Sequence, residues 1–89
     1  MTLYNVNTRQ RKTLEVIFSH PTPKNLAWDD LVSLLLALGC DMVKDGGSHV
    51  AFRRDNQKAD FHRPHPGKEL KRYQVEDAKA FLAKIGVTP

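Results

Sequence analysis

Apolar residues recur along this chain with two periods, three to four residues toward both ends and two in the middle, and the change of period divides it into elements. Leu14, Ile17 and Phe18 fall on one face of a helix expected over residues 8–19. Asn7 or Thr8 can cap it, Asn7 with Gln10 three residues on as a capping-box pattern. Pro21 and Pro23 end it, because proline donates no hydrogen bond and pushes the residue before it out of helical geometry. Ala27, Trp28, Leu31, Leu34, Leu35 and Leu38 form the broad stripe of a second helix, with Asn25 as its cap and Gly39 as its stop. Asp29 and Asp30 fall in its opening turn, where the helix dipole favours negative charge. Trp28 shares the leucine stripe and is read as a core anchor.

The period then shortens to two. Residues 40–44 read as a strand, and Asp45-Gly46-Gly47 turns it into a second strand over residues 48–53, the two glycines supplying positive backbone φ. On that strand Ser48, Val50 and Phe52 share one face while His49, Ala51 and Arg53 share the other. Val50 and Phe52 must seek the core, so His49 faces outward. Asp55-Asn56-Gln57 supply turn chemistry before a third strand over residues 59–62, in which Ala59 and Phe61 oppose Asp60 and His62. His49 and His62 then lie on one exposed sheet face if the register permits. The segment Arg63-Pro64-His65-Pro66-Gly67-Lys68 is a basic loop, and a last helix from about Gln74 carries Val75, Ala78, Phe81, Leu82 and Ile85 on one side. Glu76 and Asp77 are expected near its start, Lys84 near its end and Gly86 at its close. The pattern predicts an α+β fold: a three-stranded antiparallel sheet with helices on one face.

Eighty-nine residues with 40% apolar and 27% charged composition make one small domain with one core. The longest apolar run, Leu34 to Leu38, is too short to span a bilayer. The start of the chain carries no basic head followed by an apolar stretch, so a cytoplasmic protein is expected. The single cysteine, Cys40, excludes an internal disulfide and reads as a small buried residue. Charge sharpens the picture once it is located. Residues 1–45 carry five Lys/Arg and five Asp/Glu, whereas residues 46–89 carry nine against five, so the net +4 belongs to the second half and makes a polyanion a reasonable partner.

Several chemistries can be weighed against these residues. His62 and His65 have a spacing that invites metal, but a structural zinc site needs about four Cys or His ligands and Cys40 stands apart, so no metal is assigned. Ser48 adjoins His49 but points to the opposite face, which argues against a serine nucleophile and leaves Ser48, with Gly46 and Gly47, to shape the turn. Cleavage of RNA by side chains alone requires a base for the 2′-hydroxyl proton, cations for the phosphate and an acid for the departing 5′-oxygen. Imidazole can perform either proton transfer near neutral pH, and guanidinium and ammonium groups supply the electrostatic part.

Gly47-Ser48-His49-Val50-Ala51-Phe52 resembles the Gly-Ser-His-x-x-Phe signature of the HicA family of toxin ribonucleases. His65-Pro66-Gly67-Lys68-Glu69-Leu70 is similar to that family's following His-Gly-Lys-Glu-Leu stretch, and the likeness spans roughly residues 27–87. The resemblance implies a fold like the double-stranded-RNA-binding domain and a messenger-RNA endonuclease needing neither metal nor cofactor. It also implies a cognate HicB-type antitoxin that covers the site. Carried onto this chain, the catalytic histidine is His49, and His65 matches a recurrent family histidine. The expected mechanism has His49 as general base or acid, His62 or His65 as the second proton-transfer group, and Arg53, Arg63 and Lys68 engaging phosphate. The sequence departs from the pattern at Arg63, Pro64 and Pro66, and its residues 1–24 form a helical extension ahead of a HicA-like domain at residues 25–89. A non-catalytic module of the same fold, binding RNA or a protein, is the rival expectation, as is a degenerate toxin. All three predict RNA affinity that falls with salt; only the first predicts broken RNA.

Overall fold

Each apolar stripe buries its face against one shared core in the computed structural model, which describes residues 5–89. Helix α1 (Thr8–Ile17) begins with the expected capping box: Asn7 Oδ1 accepts from the Gln10 amide at 2.8 Å, and Gln10 Oε1 accepts from the Asn7 amide at 2.9 Å. Leu14 and Ile17 are buried, and polar contacts hold α1 to helix α2 (Trp28–Ala37), with Arg9 Nε on Asp30 at 3.0 Å and Gln10 Nε2 on Ser33 Oγ at 2.9 Å. Residues 1–4 of the expected extension, and with them the reading of the chain's start, lie outside the described residues.

Helix α2 starts later than its sequence signals predict. Its N-cap is Ala27, which makes no side-chain capping bond, so the cap expected of Asn25 is corrected. Tertiary pairing overrides the local signal there: Ala27 forms an antiparallel bridge with Glu69, and the Leu70 amide donates to the Leu26 carbonyl at 2.9 Å. An extended backbone at residues 26–27 cannot also be helical. Asp29 and Asp30 do occupy the first turn, and Trp28, 8% exposed, sits in the core with its ring 6.3 Å from Phe52 and 6.1 Å from Phe61.

The sheet runs β1 (Asp41–Lys44), β2 (His49–Arg54), β3 (Gln57–His62), in that spatial order and antiparallel throughout. Gln57 belongs to β3, opposite Arg54, rather than to the turn. Asp55 and Asn56, with φ of 52° and 66°, make a two-residue turn by themselves, a left-handed conformation that short polar side chains tolerate. Val50, Phe52, Ala59 and Phe61 point into the core, which the three helices cover. Of the two turn glycines only Gly46 uses positive φ, at 89°, which corrects the expectation for Gly47.

Helix α3 (Arg72–Lys84) begins two residues before the expected Gln74. Its first turn therefore holds Arg72, Tyr73 and Gln74 and no acid, while Glu76 and Asp77 fall in the second turn. Buried Gln74 explains the boundary. Its Oε1 accepts from the Lys71 amide at 2.9 Å, capping the helix, and its Nε2 donates to the His62 carbonyl at 2.9 Å. One side chain thus pins the start of α3 to the end of β3 and fixes the shape of the loop between them.

Candidate functional site

The site is built on the sheet face that the helices leave open. The β2–β3 register sets His49 directly opposite His62, with Ala51 opposite Asp60 and Arg53 opposite Lys58. Paired residues share a face. His49 and His62 therefore stand side by side, ring centroids 6.1 Å apart, with the His49 side chain one-third exposed at 33%. Ala51 lies on the same face between His49 and Arg53, and its small side chain leaves a shallow hollow of about 150 Å³ bordered by Asp45, His49, Arg53 and Lys58.

Two carboxylates hold the His49 ring. Nδ1 lies 2.8 Å from Asp45 Oδ2, in the β1–β2 turn, and Nε2 lies 2.7 Å from Asp60 Oδ1, on β3. A carboxylate only accepts, so a ring that bonds both must donate from both nitrogens and carry a proton on each. The Asp45 contact first, and the Asp60 contact second, raise the imidazole above its ordinary pKa; the His49 hydrogen bond in turn lowers that of Asp45. Lys58 Nζ also approaches Asp60 Oδ1, at 3.5 Å. Neither carboxylate was expected as a partner of His49. Asp60 had a readable signal, since it shares the His62 face; Asp45 had none, because only the path of the glycine turn brings it back over the strand.

The remaining expected residues divide between two places. Arg53 shares the hollow with His49, whereas His62, Arg63, His65 and Lys68 line a larger cleft of about 830 Å³ between the loop after β3 and the start of α3. His62 lines the cleft and stands beside His49, which borders the hollow. The Ser48 hydroxyl lies 3.5 Å from His62 Nδ1, the outer limit of a hydrogen bond, and the Ser48 carbonyl accepts from the Arg63 amide at 2.8 Å. Ser48 thus extends the β2–β3 ladder by one rung and faces the cleft. Gly46 and Gly47 remain in the turn ahead of it, with open space where a Cβ would stand.

Cys40 is buried, and burial pushes its thiol up to about 11, which leaves it protonated and unreactive near neutral pH. No group of three or more His, Cys, Asp or Glu side chains among the described residues is arranged to hold a metal ion. No helix among them is long and apolar enough to cross a membrane.

No curated protein and no solved structure matches the chain. The sequence model for the family described as "HicA toxin of bacterial toxin-antitoxin" matches residues 28–87, from the first residue of α2 to just beyond α3, and so takes in the whole sheet and His49. Matched over more than half its length, the chain belongs to the HicA family of toxins, whose systems pair a toxin with an antitoxin.

Proposed function

We propose that this chain is a messenger-RNA endoribonuclease that works by side-chain proton transfer, and that a HicB-type antitoxin restrains it by covering the open sheet face. The observation that supports the reading is the placement of His49: outward, partly exposed, beside a second imidazole and between two groups of cations. Residues 1–24 are an addition to the family domain at residues 25–89, and α1 buries Leu14 and Ile17 in the domain's core.

Because Asp45 and Asp60 favour the protonated ring, His49 enters as the general acid. His62, opposite it in the sheet, is the better-placed base; His65 stands on the loop, on the cleft side. His62 takes the 2′-hydroxyl proton and the 2′-oxygen bonds to phosphorus. The bond from phosphorus to the 5′-oxygen breaks, and His49 gives that oxygen its proton. The products are a 2′,3′-cyclic phosphate and a 5′-hydroxyl. Arg53, Arg63 and Lys68 offset charge on the phosphate oxygens. RNA that reaches Nε2 must displace Asp60, which Lys58 is placed to receive, while Asp45 keeps the ring oriented through Nδ1.

The paired nitrogens also favour a second reading, a non-catalytic or degenerate toxin that binds RNA or its protein partner with His49 locked as a structural cation. Expression of the wild-type chain and of His49→Ala separates the two. Growth arrest with fragmented transcripts ending in cyclic phosphate, abolished by His49→Ala, supports the nuclease. Arrest that survives the substitution removes His49 from the mechanism, and intact transcripts with either chain favour binding alone.

A further inference from the structure

The 830 Å³ cleft beside His62 has the size of a ligand site, and its walls have a composition that folding alone does not explain. Five cations, Lys24, Arg63, Lys68, Lys71 and Arg72, line it against one carboxylate, Glu69, and none of the five forms an ion pair among the described residues. Lys71 and Arg72 stand at the N-cap and first residue of α3, the positive end of the helix, where cations are disfavoured and no acid in the first turn relieves them. A local rule broken at a cleft, with no ion-pair partner among the described residues, points to an anion from outside. Tyr73 adds a second and chemically different signal. It is 55% exposed, the one Phe, Tyr or Trp among the described residues that is, and it lines the same cleft instead of joining Val75, Ala78 and Phe81 in the core.

We infer that this cleft is a subsite for single-stranded RNA, in which Tyr73 stacks on one unpaired base while Lys24, Lys71 and Arg72 hold the flanking phosphates. An exposed ring set among cations suits a base whose face is free, and a base within a duplex offers no face to stack on. Buried Gln74, bonded to the Lys71 amide and the His62 carbonyl, holds the platform at a fixed distance from the sheet, so a strand lying in the cleft leads across His62 toward His49. Lys24 precedes the region matched by the family, which makes this edge of the subsite a contribution of the chain's own N-terminal segment.

The inference rests on the reading of the chain as an RNA-acting toxin, and binding measured without cleavage keeps the two apart. The probe is a fluorescein-labelled, unstructured 12-nucleotide RNA titrated against the full chain carrying His49→Ala, with the corresponding RNA duplex in parallel. Adding Tyr73→Ala should weaken single-strand binding roughly five- to 150-fold, the worth of one base–aromatic stack, and Tyr73→Phe should restore most of it. Lys24→Ala should lower the salt slope of log K by about 0.7, the share of one phosphate contact on a single strand. Circular dichroism of each variant checks that this exposed position leaves the fold intact. Equal affinity with and without Tyr73, or tighter binding of the duplex, overturns the subsite. Tyr73-dependent binding by a protein whose wild-type form leaves RNA whole upholds the subsite and ends the nuclease reading.

Discussion

Phe52→Ala tests the placement of every side chain on β2, because Phe52 points into the core only if His49 points out of it. Phe52 has no exposed surface, and its ring lies 6.3 Å from Trp28 and 6.1 Å from Phe61, tilted or edge-on to both. Truncating a fully buried phenylalanine costs about 3–5 kcal/mol in transfer and cavity terms together. Two aromatic pairs are lost with it, each worth roughly 0.5–1.5 kcal/mol beyond the area they bury, which places the cost toward the upper part of that range. A chain of this length has a total stability of about 4–13 kcal/mol, so the substitution removes a third of it or more. Urea unfolding followed by tryptophan fluorescence gives the measure, Trp28 being in contact with the site of change. At a slope of about 1 kcal/mol per molar urea the midpoint should fall by 3 M or more, or the variant should be unfolded in buffer. Phe52→Leu keeps most of the volume and should cost clearly less, and His49→Ala should move the midpoint far less than either. A Phe52→Ala protein as stable as the parent would refute the reasoning, since a slip of one residue exchanges the two faces of a strand and would put the imidazole inside.

Proton NMR titration of His49 should give a pKa above the ordinary histidine value of about 6.5, lowered more by Asp45→Asn than by Asp60→Asn, because the Asp45 contact contributes most to the shift. The contact's contribution to stability follows from the two shifts. The raised His49 supplies its share fully below about pH 6.5 and loses it as pH rises through the elevated value; the lowered Asp45 supplies its share above about pH 3.9 and loses it as pH falls through the depressed one, so midpoints measured across pH should show the clasp whole between those limits. Cys40 should resist a thiol reagent at pH 8 in the native protein and react fully in denaturant, since its thiol stays protonated up to about 11; prompt native-state labelling would contradict its burial. Asn56→Val should cost about 1–2 kcal/mol in urea unfolding and Asn56→Gly nothing comparable, because the φ of 66° is strained for a β-branched side chain and free for glycine.

What could be read from the chain alone was whatever a short window decides. The Asn7 and Gln10 capping box, the Trp28 to Leu38 stripe and the opposite facing of His49 and Arg53 to Val50 and Phe52 each need only a short window, and each stands in the structure, although Ala51 on the open face is itself buried. The departures have long-range causes. Ala27 caps α2 because Glu69, far along the chain, draws it into a bridge, and α3 opens at Arg72 because Gln74 spends its amide on His62 and its oxygen on Lys71. The start of β3 is a different kind of miss. Asp55 and Asn56 are residue types that accept positive φ, so a two-residue turn was available to the sequence reading and would have placed Gln57 on the strand. In the site, the facing of the strands was legible, whereas the register that sets His49 against His62 depends on where the β2–β3 turn closes. The grip of two carboxylates was not legible either, because it depends on how far a turn folds back and on a diagonal contact across two strands.

That grip bears on how the proposed reaction could be restrained. A protonated imidazole flanked by cations would repel them and lose its proton; two carboxylates within 2.8 Å keep it charged and aimed. On the proposed function, the same carboxylates oppose the RNA that the surrounding cations would attract. Asp45 and Asp60 differ in what can relieve them: Lys58 already stands 3.5 Å from the Asp60 oxygen that holds Nε2, whereas Asp45 has no cation other than His49 within ion-pair distance among the described residues. On the proposed reaction, phosphate entering from the cleft therefore exchanges with Asp60 and leaves Asp45 in place, an exchange of one anion for another that costs little net charge. An antitoxin that contacts this face needs no new chemistry to hold the site closed, because stabilising the Asp60 contact with Nε2 withholds the proton and the binding position together.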